Sequence, residues 1–148
     1  MLGILAANEN KEKPNMRPLP PIIITELDLE RLGRVLESHE GSSVERLDEE
    51  LARARVVPKE AISPNVVTMN SQVTFQDCAT GAKRTIQLVY PGAAAPGEGK
   101  VSILSPMGSA LLGMQVGQVI EWKTPSGSFE VRVLEVPYQP EAAGDYAL

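Results

Sequence analysis

Hydrophobic positions along this chain change their spacing partway, and the change separates a helical part from a sheet part. Leu29, Leu32 and Leu36 fall three and four residues apart, with His39 next in register, and Val44, Leu47, Leu51 and Ala54 repeat the seam. That spacing lines one face of a helix in each segment. Thr25 with Asp28 three places on reads as a capping-box start, the shorter carboxylate standing in for Glu. Gly41 is placed to end the first helix in a left-handed conformation, and Ser42 with Glu45 forms a full capping box for the second. A loop this short makes the helices antiparallel neighbours. The first spans about fifteen residues, roughly 22 Å at 1.5 Å per residue. So short a hairpin is marginal alone and is expected to lean on the rest of the chain.

From Val66 the period becomes two. Val73 and Phe75 alternate with polar residues, Thr80-Gly81 supplies a turn, and Ile86, Leu88 and Tyr90 form one face of a returning strand. Residues 91–99 are a loop by composition. Residues 101–104 read as a strand, followed after Ser105-Pro106 by a helix of about two turns at 3.6 residues each. Residues 118–123 and 128–138 flank Pro125-Ser-Gly127 as a hairpin. In the last strand Phe129, Val131 and Val133 share a face before Leu134, Val136 and Tyr138 take over, which implies a bulge or burial on both sides. Strands around one short helix predict an α+β fold. The expected organisation is a flexible extension over residues 1–21, a helical hairpin over 22–57 and a second domain over 62–148, with Pro58 and Pro64 bracketing the connection. Met16 is a plausible alternative start.

The short helix carries Met107, Ala110, Leu111, Leu112 and Met114, and no charge occurs from Ser102 to Gln118. Two turns cannot hide all of those side chains on one side, so part faces the core and part is left for a partner. The run Val101-Ser-Ile-Leu-Ser105-Pro106-Met107-Gly108-Ser109-Ala110-Leu111-Leu112-Gly113, with Gly117 beyond it, resembles the C-terminal domain of the Gre transcript-cleavage factors, which bind bacterial RNA polymerase. Val66-Val-Thr-Met-Asn-Ser71 and the ending Tyr138-Gln-Pro-Glu-Ala-Ala-Gly-Asp-Tyr146 are similar to the Rnk family, Gre relatives with a shortened N-terminal hairpin. The resemblance implies an FKBP-like antiparallel sheet domain and a docking surface for the rim of the polymerase secondary channel. Carried over by position, that surface is Ser105, Pro106, Met107, Ala110 and Leu111, while Leu112 points into the core. Pro106 would be a rigid apolar knob and Met107 an adaptable one.

Charge narrows the partners. The net charge is −5, and residues 22–60 carry ten acids against six Lys/Arg. No clustered positive stripe is present for phosphate, so direct nucleic-acid binding is not expected. No apolar run approaches the ~20 residues of a membrane span. One Cys, Cys78, and one His leave no internal disulfide and no zinc site, which fits a reducing, cytoplasmic setting. No metal, cofactor or catalytic set is expected, and the chain reads as a monomer.

Two enzyme readings compete with that of a docking protein. A Gre-type arm brings paired acids to a catalytic Mg²⁺, which needs reach and converging carboxylates. Here the tip is His39, Glu40, Gly41 and Ser42, with Glu40 its only acid, and the arm is short. Asp48-Glu49-Glu50 are consecutive, so they fan around a helix and do not converge. A prolyl isomerase needs a pocket walled by several aromatics, and the six here mostly serve strand faces. The expectation is a non-enzymatic transcription regulator that binds RNA polymerase and competes with Gre-type factors. A true cleavage factor and an isomerase or chaperone are the alternatives.

Overall fold

The computed structural model describes residues 22–124 and 126–145, with the side chains of residues 122–124 left aside. The extension expected over residues 1–21 lies outside the described residues, as do Pro125 and Tyr146. The described chain begins β1 (Ile23–Thr25), α1 (Glu26–Ser38), α2 (Ser42–Ala52) and β2 (Arg55–Val57). β1 and β2 pair in parallel, Ile23 opposite Arg55 and Thr25 opposite Val57, and so join the two ends of the helix pair. Residue spacing predicts a helical hairpin over 22–57 and no strand pair closing it.

Thr25 caps α1 as its spacing predicts, since its Oγ1 accepts from the Asp28 N–H at 3.0 Å. The helix has 13 residues and ends at His39, whose Nδ1 lies 3.0 Å from the Val35 carbonyl. Two capping expectations are corrected. Gly41 does take a positive φ of 110°, but as the residue that starts α2, where its carbonyl accepts from Val44 and Glu45. Ser42 is already helical, so the Ser42–Glu45 box does not form. In the three-residue junction His39 ends α1 and Gly41 starts α2, so the glycine is taken up by the second helix.

Inside the helix pair, Leu32 and Leu47 are fully buried, Val35 and Leu51 nearly so, and Leu29, Leu36 and Ala54 are half-buried. The buried stripe of α1 runs Asp28, Leu32, Val35. It leans away from the expected Leu36 because α1 packs against the sheet domain as well as against α2.

The remaining strands form a five-stranded sheet in the order β5-β4-β3-β7-β6. They are β3 (Gln72–Asp77), β4 (Lys83–Val89), β5 (Lys100–Ser102), β6 (Val119–Thr124) and β7 (Gly127–Tyr138). β5 runs parallel to β4 and the other pairs are antiparallel, so the sheet is mixed where an antiparallel one was expected. The cause is the 91–99 connection, which folds as two single 3₁₀ turns and carries the chain back to run beside β4 in the same direction. The first strand opens at Gln72, and residues 66–71 before it are a buried irregular segment. In β7 the register against β3 shifts twice between Val133 and Tyr138. That bulge is the reason its apolar face switches at Leu134.

α3 (Pro106–Leu111) lies on the sheet, and α4 (Pro140–Ala143) follows β7. Ile22, Ile24, Leu32 and Leu47 belong to the same hydrophobic cluster as Met69, Leu88, Leu111 and Val133, so one core runs through both parts. Two glycines make the close approaches possible. A Cβ on Gly108 would sit 2.1 Å from the Ser102 carbonyl oxygen. One on Gly113, at φ +78°, would sit 2.6 Å from Ile22 Cβ. The Gly113 carbonyl also accepts from the Ile23 N–H at 3.1 Å, tying β1 to the segment after α3. Gly113→Ala is therefore expected to cost about 2–4 kcal/mol through strain and a pushed-back β1. A lowered urea midpoint measures the loss, and an unchanged midpoint would contradict this packing.

Candidate functional site

Proline at the first position of a helix carries no N–H to waste, and a serine before it can cap the turn. Ser105 does so, its Oγ accepting from the Gly108 N–H at 2.9 Å and donating to the Ser102 carbonyl at 2.7 Å. Gly108 presses on the backbone of β5 and holds the helix down. The result is a short rigid ridge with Pro106 at its start.

The five residues assigned to a contact surface here separate into three groups. Pro106 and Ala110 are half-exposed on the ridge, with half-buried Leu104 just before it. Met107 and Leu111 are 8% and 1% exposed and pack beneath α3 against Phe75, Ile120 and Val131. As outward knobs they are withdrawn: a helix of 6 residues on a sheet must direct a bulky pair inward to seal the core. Ser105 is engaged in the cap. Leu112 is fully buried as expected.

His39, Glu40, Gly41 and Ser42 are all exposed at the junction between α1 and α2. Among the described residues no three of His, Cys, Asp or Glu come together as a metal site would require. No described helix is long and apolar enough to cross a membrane.

A polar hub joins the helix pair to the sheet domain, and the sequence reading missed it. Asp28 is fully buried, pairs with Arg31 at 2.5 Å and accepts from the Met69 N–H at 3.1 Å. Arg31 lies 5.3 Å over the Tyr90 ring, a cation–π distance. Next to Met69, the Thr68 hydroxyl donates to Glu141 at 2.7 Å and meets Ser71 Oγ at 2.8 Å. Gln139 donates to the carbonyls of Ser63 and Val66. Residues 66–71 therefore bind α1 on one side and the 138–145 ending on the other. That ending, which carries part of the family resemblance, is a latch. The signal in the sequence was Asp28 itself, a carboxylate in register with Leu32 and Val35 where a core residue belongs.

Burial is the dominant influence on these acids. It raises Asp28 above its ordinary 3.8, against the opposing pull of Arg31 and the Met69 N–H. It raises Glu141 above 4.5, again against its hydrogen bond from Thr68. Burial, reinforced by the Asp28 charge, keeps the Tyr90 hydroxyl protonated well above its usual range.

This arrangement has known relatives. Residues 62–138 match the family model described as "Transcription elongation factor, GreA/GreB, C-term", and residues 20–57 match "Rnk N-terminus". The "Regulator of nucleoside diphosphate kinase" of Escherichia coli K12 is 43% identical over 133 residues, covering 87% of this chain and 98% of that protein. "Transcription elongation factor GreA" of Thermosipho melanesiensis is 33% identical over 93 residues, 63% of this chain and 58% of that one. A solved structure, "Prokaryotic transcription elongation factor GreA/GreB from Nitrosomonas europaea", superposes with a TM-score of 0.68 at 46% identity. It covers 80% of this chain and 99% of that chain. The chain therefore belongs to the GreA/GreB family of transcription elongation factors. Within that family its N-terminal match and its likeness to the E. coli regulator place it among the Rnk proteins.

Asp28→Ala would leave the Met69 N–H buried without an acceptor and remove the Asp28–Arg31 pair, at a cost of about 3 kcal/mol. The acid dependence has a definite sign. Because both folded-state pKa values are raised, the folded chain binds those protons more tightly than the unfolded one. Stability contributed by Asp28 and Glu141 thus falls as pH rises from 3.8 and 4.5 through the raised values, then levels off. Denaturant midpoints across that range should show this decline, and Asp28→Asn should flatten its share.

Proposed function

We propose that this chain is a non-enzymatic transcription regulator that docks on RNA polymerase near the secondary channel and competes there with Gre-type factors. The observation that carries the reading is the Pro106–Ala110 ridge: uncharged, with Pro106 and Ala110 half-exposed, and stiffened by the Ser105 cap and the Gly108 contact. It lies within the stretch that matches the GreA/GreB C-terminal model. A preorganised apolar ridge loses little freedom on binding. In this reading residues 62–138 form an FKBP-like docking module and residues 22–57 an antiparallel hairpin beside it. The protein acts in the cytoplasm as a monomer, and any influence on nucleoside diphosphate kinase is indirect, through expression.

Reach and charge favour this over cleavage. α1 has 13 residues, about 20 Å at 1.5 Å per residue, and its core-bound side holds it against the sheet domain. The junction presents Glu40 as its one acid between the helices, whereas hard-cation chemistry wants several converging oxygens.

Binding to purified core polymerase provides the test. Pro106→Asp and Ala110→Asp each place a charge in an apolar contact and should weaken binding about tenfold or more. Melting temperatures are measured alongside, since Ala110 packs partly against the core, and the Pro106→Asp variant should stay near the parent. Addition of the protein to backtracked complexes should leave transcript cleavage at its basal rate and reduce the stimulation given by a Gre factor. Clear stimulation of cleavage by this chain alone would favour the cleavage-factor alternative.

A further inference from the structure

α3 covers only part of the sheet's inner face. Strand alternation and register place Phe75, Asp77 and Arg84 on that face with Val131 and Phe129, since Phe75 pairs with Arg84 and Asp77 with Val131. With Lys83 these residues line a groove of about 210 Å³. Phe75 and Val131 are buried, and both also line the closed seam under α3, so the groove continues the core outward. Phe129 is 38% exposed, among the largest apolar exposures in the described chain.

The groove's charge runs against that of the molecule. The chain carries −5, yet the lining has two cations and one acid. Asp77 has an oxygen committed to the following turn, accepting from the Ala79 and Thr80 N–H groups at 2.8 and 3.2 Å. Lys83 and Arg84 are exposed and make no ion pair among the described residues, where the pairs involve Arg31, Arg34, Arg53 and Lys100. The volume falls below the roughly 300 Å³ at which small-molecule pockets begin. It suits one anchoring side chain of a larger partner.

We propose that this groove docks a peptide segment of a protein partner that presents a large apolar side chain directly flanked by Asp or Glu. The apolar floor takes the anchor, Arg84, on the same face as Phe75, takes a flanking carboxylate as a charge-assisted hydrogen bond, and Lys83 at the start of the strand adds longer-range attraction. Single-stranded nucleic acid could also use an aromatic beside cations. It is disfavoured because two cations beside an acid do not make the continuous positive groove that tracks a phosphate backbone. The proposal does not depend on polymerase binding, and the groove shares no lining residue with the Pro106–Ala110 ridge.

Fluorescence anisotropy and amide-shift mapping on the full chain test it with a labelled acetyl-Gly-Glu-Phe-Glu-Gly-amide. Comparison probes are the Lys-Phe-Lys and Glu-Gly-Glu versions and an oligouridylate. The Glu-Phe-Glu peptide should bind best, with shifts concentrated in residues 75–84 and 129–131. Arg84→Glu and Phe129→Ser should each weaken it about fivefold or more. Both positions are exposed, and a Lys83→Gln/Arg84→Gln variant keeps the comparison sound if either single change unfolds the chain. Equal binding of the other peptides, preference for the oligouridylate, shifts confined to residues 104–110, or no saturation near ~1 mM would each overturn the proposal.

Discussion

A single buried carboxylate sets the relation between the two parts of this protein. Asp28 sits at 0% exposure at the head of an otherwise apolar helical stripe, and such a group is tolerated only when its oxygens are matched. One oxygen meets Arg31, the other the Met69 N–H across the junction, so the helix pair docks in one orientation. Apolar packing alone would let α1 rotate or slide, since Leu32, Val35 and Leu47 are satisfied by many similar contacts. The directional bond removes that freedom. Residues 66–71 are the receiving side, and they in turn are held by Glu141 and Gln139 from the chain's end.

That fixed docking bears on function. Helices that share a core with the sheet domain are a buttress, and the ridge at Pro106 gains rigidity from both sides. α3 is pinned to β5 through Gly108, while the segment after it is pinned to β1 through Gly113. A surface held this firmly can recognise a partner by shape without ordering itself first. The groove at Phe75 and Phe129 extends the same inner face past the helix, so two candidate contact areas stand on one rigid sheet.

Much of this was legible in residue spacing. The two helices, the β6–β7 turn, the Ser-Pro helix start and the bulge after Val133 all follow from local rules, because each depends on neighbours a few residues away. The family was legible for the same reason, in the run from Val101 to Gly117. Legibility failed where one residue had two eligible roles. Asp28 reads as a capping acid by spacing and turns out to be a core acid with a partner 41 positions on. Gly41 could end one helix or begin the next, and only the length of the junction decides.

Local chemistry thus dictated the helices, most strands of the larger sheet and the stretch that would carry an uncharged ridge. It could not say which of Pro106, Met107, Ala110 and Leu111 remain outside, because that depends on where the sheet meets a helix of 6 residues. Nor could it reveal the parallel pairing of β1 with β2 and of β4 with β5, or the hub around Met69, which join residues far apart in the chain. Burial and long-range hydrogen bonds are properties of the assembled core, and they exist only once every element is in place.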